Sequence, residues 1–110
     1  MQQGLNRVTL IGRLATAPEL RHAPSGMAVA SFVLQVPRQW AGPDGQTQST
    51  LDSFNVLAWG DLAEHGAAPL AGGGLACVEG RLQVRSWQDA EGRLHQQTEI
   101  VASQLLALNP

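Results

Sequence analysis

Three tryptophans and seven arginines are the residues of this 110-residue chain with the most chemistry to offer. Lysine is absent, so every permanent positive side chain is a guanidinium. A guanidinium pairs with an oxyanion through a rigid fork of donors, and its flat face stacks on π systems. An indole adds a broad apolar ring and one N–H donor. The two types come together twice. Arg38 lies two residues before Trp40, and Arg85 two residues before Trp87, with Arg81 four residues further back. Trp59 stands apart, just before a glycine. Such a set can hold flat aromatic groups on its rings and anionic groups in its forks.

Strands must position them. "LACVEGRLQVRSW" (75–87) alternates like a strand, with Ala76, Val78, Gly80, Leu82 and Val84 on the face read as inner. Glu79, Arg81, Gln83, Arg85 and Trp87 share the other face. In the strand expected over 51–59, Phe54, Val56 and Ala58 form an apolar set, while Ser53, Asn55, Leu57 and Trp59 form a mixed one. Trp40 follows the strand expected over 27–36, whose apolar face is Ala28, Ala30, Phe32, Leu34 and Val36. It sits beside a long polar hairpin loop, 41–50, where a core position is hard to reach. All three tryptophans are therefore expected off the apolar faces. Exposed rings of this size serve as caps over a sheet end, subunit contacts or binding surfaces. The interleaved arginines favour binding, because aromatics that stack bases and cations that hold phosphates are what a groove for single-stranded nucleic acid needs. Reading a duplex takes a long basic helix, and the sequence has none.

The remaining elements complete the frame. A strand is expected over 5–14, interrupted at Gly12 by a bulge or bend. Residues 16–26 read as connection. Asp61 and Glu64 read as an N-cap and capping box for a short helix, kinked near Pro69 and ended by Gly72 to Gly74. A last strand falls within 94–108. Three strands, a short helix and two strands is the order of an OB-fold, an all-β, five-stranded Greek-key barrel. One domain is expected over 1–110, with a core of about 4–106.

Bulk properties narrow the classes. The net charge of −2 and pI of 5.8 argue mildly against nucleic acid, so the placement of the arginines has to carry the case. No apolar run approaches the ~18 residues of a membrane span, and no leader is evident, so a cytoplasmic protein is expected. The single cysteine, Cys77, excludes an internal disulfide and a multi-cysteine metal site, and reads as partly buried. His22, His65 and His95 lack ligand spacing and read as exposed, so neither a metal nor a cofactor is expected. Gly72 to Gly74 lack the Lys-Ser/Thr of a phosphate loop. Glu79 and Glu99 have no evident carboxylate partner, and no set of nucleophile, base and orienter is recognisable, so the protein is not read as an enzyme.

The stretches "GLNRVTLIGRL" (4–14), "PELR" (18–21), "PSG" (24–26), "FNVLAWGDLAE" (54–64) and "VEGRLQVRSW" (78–87) closely resemble the bacterial single-stranded DNA-binding protein family. The resemblance spans about residues 4–106. It implies an OB-fold, sequence-independent binding of single-stranded DNA in replication, recombination and repair, nucleoid association, and a homotetramer built from dimers. Trp40, Trp59 and Trp87 fall where the family places its base-stacking aromatics. Arg38, Arg81 and Arg85, and behind them Arg7, Arg13 and Arg21, are the arginines expected to contact phosphates or another subunit. The chain departs from the pattern in four places. Ser53 stands where the family often has a further aromatic, and Phe54, of opposite parity, reads as core or subunit interface. His22 replaces a frequent tyrosine, and "AGGGL" lacks the usual lysine. The sequence ends at "LLALNP", short of the acidic-tipped tail by which the family recruits replication and repair proteins; it is either a chain cut to its core or a naturally tailless relative, and only the second is expected to lack the partners reached through that tail. Ser53 and the missing tail leave a specialised paralogue or primosome-type accessory protein, binding single-stranded DNA or RNA, as an alternative. A protein-interaction module, its tryptophans covered by a partner, is another.

Overall fold

Alternating apolar residues build six strands: β1 (Val8–Leu14), β2 (Glu19–His22), β3 (Ala28–Ala41), β4 (Thr47–Trp59), β5 (Leu75–Gln88) and β6 (Leu94–Ala107). They belong to a computed structural model that describes residues 3–108. The outermost residues of the expected 1–110 domain, with the end of "LLALNP", lie outside the described residues. The sheet order is β1-β5-β6-β4-β3-β2, and a further β1–β3 pairing closes it. Five strands thus form a barrel, while β2 lies along one edge of β3. β4 and β6 run parallel at Val56–Ile100 and Leu57–Val101; the other pairings are antiparallel. This is the expected OB-fold, with its helical turn between the third and fourth barrel strands.

Two glycines permit closure. Arg13 pairs with both Leu75 of β5 and Gln35 of β3, so β1 bridges the seam. A Cβ at Gly12 would lie 2.4 Å from the Gln35 carbonyl oxygen. Gly12 therefore marks a close approach of backbones; of the bulge or bend expected there, the unbroken β1–β5 register shows no bulge. The bulge lies in β6. Glu79 pairs with Gln104 but Gly80 with Ala102, which leaves Ser103 as the extra residue, its Oγ donating to the Glu79 carbonyl at 3.2 Å. A Cβ at Gly80 would meet the Val101 carbonyl oxygen at 2.1 Å.

The core gathers Leu14, Phe32, Leu34, Val56, Val78 and Ile100, with Phe54 packed against it as expected. The helical segment is one π-helical turn, Leu62–Ala67, which buries Ala63 and Ala67 against the barrel. Its expected capping box is absent. Asp61 has helical angles and makes no cap bond; the Gly60 carbonyl accepts from the N–H groups of Ala63 and Glu64 instead. Pro69 follows the turn, so it kinks nothing, and Gly72 to Gly74 belong to the return into β5.

The strands run well past the expected boundaries. β3 continues to Ala41 and β4 starts at Thr47, so the long loop of 41–50 shrinks to a tight turn. Gly42 N–H donates to the Gln46 carbonyl and Gly45 N–H to that of Gly42, with Gly45 at φ 82°. The β5–β6 turn repeats this pattern between Asp89 and Arg93, with Gly92 at φ 80°. Both are three-residue turns that end on a left-handed glycine. The two hairpins outrun the barrel, and this corrects the inner-face reading of β5. Leu82 and Val84 keep the parity of Val78 but lie where no opposite wall covers them, and stay 43 % and 61 % exposed. β2, read as connection, pairs with β3 from Glu19–Ser31 to His22–Ala28.

Candidate nucleic-acid interface

Ladder register assembles one outward face from four strands. Across β5 and β6, Trp87 stands opposite His95, Arg85 opposite Gln97, Gln83 opposite Glu99 and Arg81 opposite Val101. Val101 is level with Leu57 of β4, and Trp59 follows two residues later on the same side. A groove of about 390 Å³ crosses this face, lined in part by Ser31, Asn55, Leu57, Arg85, Gln97 and Glu99.

At one end, the Trp87 and His95 rings stack with centroids 5.4 Å apart, inclined by 18°. The Arg85 guanidinium lies 4.7 Å from the Trp87 ring centroid. His95 Nε2 is 2.8 Å from Asp89 Oδ2, and Asp89 Oδ1 accepts the N–H groups of Glu91 and Arg93. These bonds, that to His95 foremost, hold the Asp89 carboxyl below the usual carboxylate range. Behind Arg85 lies Glu99, the one buried charged residue among those described, 3 % exposed. Arg85 Nε and Gln83 Nε2 each donate to Glu99 Oε1 at 3.2 Å.

Trp40 lies elsewhere. Its parity in β3 is that of Phe32 and Leu34, so it belongs to the barrel side of its strand and is exposed because the hairpin projects. This corrects its placement off the apolar face. The Arg38 guanidinium lies 4.9 Å from the Trp40 ring centroid and grips Asp52 with Nε at 2.8 Å and Nη2 at 3.3 Å. The hydrogen bond raises the Arg38 pKa and lowers that of Asp52.

The structure thus brings Trp59, Trp87, Arg81 and Arg85 to one face, and sets Arg38 and Trp40 on the other hairpin. Two of the three arginines assigned to phosphate already hold carboxylates, Arg38 on Asp52 and Arg85 on Glu99. Among the described residues, Arg81 meets only Gln83 Oε1, at 3.5 Å. Among the described residues, Trp59 has no ring or cation partner. Sequence reasoning missed Asp52, Asp89, His95 and Glu99 as neighbours. His22, His65 and His95 are exposed, as expected, and Cys77 is partly buried. His65 does meet Asp61 and Glu64, their ligand atoms within 4.8 Å, all on exposed side chains. At Ser53 there is no platform but an open recess of about 330 Å³, shared with Phe54, Leu82 and Glu99. Among the described residues, no helix is long and apolar enough to cross a membrane.

Known proteins of similar sequence and shape bear on this face. The profile of the single-strand binding protein family matches residues 5–108. A single-stranded DNA-binding protein of Halalkalibacterium halodurans is 43 % identical over 106 residues, 96 % of this chain and 62 % of the relative. Single-stranded DNA-binding protein A of Bacillus subtilis is 42 % identical over 96 % of this chain and 60 % of its own length. The chain therefore spans about three fifths of these relatives. A Plasmodium falciparum SSB in complex with single-stranded DNA superposes with a TM-score of 0.89 at 25 % identity, covering 99 % of both chains. A deletion mutant of the single-stranded DNA binding protein from Thermus aquaticus gives a TM-score of 0.86 at 30 % identity, covering 99 % of this chain and 53 % of that one. A match that runs from β1 to the end of β6, in sequence and in shape, leaves one assignment: the chain belongs to the single-strand binding protein family.

Proposed function

We propose that this chain binds single-stranded DNA without reading its sequence, by stacking bases on tryptophans and holding phosphates with arginines. One observation carries the reading: Trp59 and Trp87 stand at the two ends of one outward face, with Arg81, Arg85 and the groove between them. Trp87 is level with His95, Leu57 is level with Val101, and Trp59 lies two residues past Leu57. Six residues of β6 and two of β4 at ~3.3 Å each put the rings roughly 25 Å apart along the strands. That length suits several nucleotides, within the ~4–16 that one OB-fold covers. Arg38 and Trp40 extend the path along the β3–β4 hairpin. The similarity to the Plasmodium protein bound to single-stranded DNA supports the same use of the fold. Titration with oligo(dT) of increasing length should quench tryptophan fluorescence. Unchanged fluorescence together with no mobility shift at low salt overturns the proposal.

The same reading places the chain, non-catalytic and cytoplasmic, on strands exposed in replication, recombination and repair. It also includes self-association, as a homotetramer built from dimers. Ile11, Cys77 and Leu106 are ladder neighbours across β1, β5 and β6 on the outward side, and Ile11 and Leu106 are 53 % and 62 % exposed. A second copy would cover this apolar row. Light scattering during the same titration gives the subunit count.

A further inference from the structure

Two neighbours meet the Trp87 ring, and each is itself tied to a carboxylate. Arg85 brings its guanidinium to 4.7 Å from the ring centroid, and its Nε donates to Glu99 Oε1 at 3.2 Å. His95 stacks on the ring, and its Nε2 lies 2.8 Å from Asp89 Oδ2. Both carboxylates are in turn fixed. Gln83 Nε2 donates to the same Glu99 oxygen at 3.2 Å, and Glu99 is 3 % exposed. Asp89 Oδ1 accepts the N–H groups of Glu91 and Arg93. Two chains of contact thus converge on one indole, one from Glu99 on β6 and one from Asp89 in the turn. The other tryptophans lack this. Among the described residues, Trp40 meets Arg38 alone, and Trp59 meets neither a ring nor a cation.

An indole that is free to turn loses rotamer freedom when a base stacks on it, and that loss is subtracted from affinity. A ring already held when the base arrives avoids the loss. Centroids 5.4 Å apart describe an offset stack, so His95 overlaps the ring only in part, and Trp87 stays 39 % exposed. Room for a base remains. Arg85 also stays open to a phosphate, because its Nη1 has no partner among the described residues. We propose that Glu99 and Asp89 are positioning residues for base stacking, which fix the Trp87 ring, through Arg85 and His95, as a preset platform. This rests on the binding of single-stranded DNA proposed above, and adds to it the groups that prepare the surface. It also gives Glu99 a use in a groove meant for a polyanion, since an arginine held at one nitrogen by a buried carboxylate keeps its place beside the ring.

The test is a pair of double-mutant cycles on the full chain, read as oligo(dT) affinity. Glu99→Asp keeps the charge but withdraws the carboxylate by one methylene, which breaks its hold on Arg85. Asp89→Asn, outside the core, removes the charge that holds His95. Each is made in the wild type and in Trp87→Ala, so that any direct effect of charge on DNA is common to both backgrounds and cancels. Each substitution should cost about threefold more affinity in the wild type than in Trp87→Ala, the low end of the ordering cost of one side chain. Equal effects in the two backgrounds mean that the carboxylates do not act through the ring, and overturn the inference. A second arm needs no DNA. With Trp40→Phe and Trp59→Phe leaving Trp87 as the one indole, time-resolved anisotropy should show no sub-nanosecond decay, and Asp89→Asn or Glu99→Asp should introduce one. A fast decay already present in that parent overturns the inference, even where Glu99→Asp fails to fold. Failure of the wild type to bind oligo(dT) overturns the binding proposal itself, while the ring measurement still decides this one.

Discussion

Asp52 acts as a brake on Arg38, and removing it should tighten the grip on DNA. The carboxylate takes two of the guanidinium's donors, at 2.8 and 3.3 Å, and cancels its charge. While that pair persists, Arg38 releases no counterion from a phosphate. In Asp52→Asn the guanidinium is free to pair with one. A single added contact on a single strand steepens the slope of log K against log salt by ~0.7. Over a fourfold rise in salt, the variant's advantage should shrink about 2.6-fold by that slope. Oligo(dT) titrations at four salt concentrations measure both quantities. Arg38→Gln in the Asp52→Asn background should return the slope to its wild-type value. Acid does not reproduce the effect near neutrality, because the Arg38 hydrogen bond lowers the Asp52 pKa and keeps the carboxylate ionised below the usual range. A slope that does not change in Asp52→Asn, and does not respond to Arg38→Gln within it, refutes a phosphate role for Arg38.

Gly80→Ala should destabilise the fold by about 3 kcal/mol in urea unfolding, because its Cβ meets the Val101 carbonyl oxygen rather than a movable side chain. Gly26→Ala, in open space at φ 91°, should lose only about 1 kcal/mol. Trp59→Ala and Trp87→Ala should each weaken oligo(dT) binding by roughly 1–3 kcal/mol, and Trp40→Ala, off the shared face, by less. His95→Gln should raise the Asp89 pKa toward its ordinary value, as read by NMR titration, since the His95 bond is the main cause of its lowering. Asp89's contribution to stability is present above the ordinary carboxylate pKa of ~3.9 and disappears as pH falls through the lowered one, so the variant should lose it at higher pH. Ile11→Glu should lower the mass seen by light scattering, and an unchanged mass places the subunit contact elsewhere.

The barrel was legible because period-two alternation and strand order survive in a short chain. Val56 and Ala58, or Ala28 to Leu34, carry the core face without ambiguity. What alternation could not supply was the extent of each wall. Leu82 and Val84 have the right parity and still face solvent, because parity gives the side of a strand and says nothing of what lies opposite. β2 was hidden for a related reason: "ELRH" is exposed at every position, and its place in the sheet comes from backbone pairing with β3. Gly60 took over the capping expected of Asp61 because the tight exit from β4 needs its φ of 64°.

The candidate site was legible in its residue types and much less so in their partners, and the hairpin turns show why. A three-residue turn centred on Glu91 puts Trp87 opposite His95 by counting, so "DAEGR" held the information for that stack. The same count around Asp44 puts Arg38 opposite Thr50. Asp52 lies two residues further on, reached diagonally by a long side chain, and no register argument would select it. Glu99 depends on a third condition, since it is buried by the Arg85 and Gln83 side chains that bond it. Two of the three cations read as free for phosphate, Arg38 and Arg85, were therefore read without the carboxylate that folding brings to them. This is also how an acidic chain can serve a polyanion. Its net charge of −2 counts every carboxylate equally, but Asp52 is spent on Arg38 in the β3–β4 hairpin and Glu99 on Arg85 and Gln83, so neither is a free charge toward the backbone. The salt slope of Asp52→Asn tests this: the substitution should change affinity for every sequence alike.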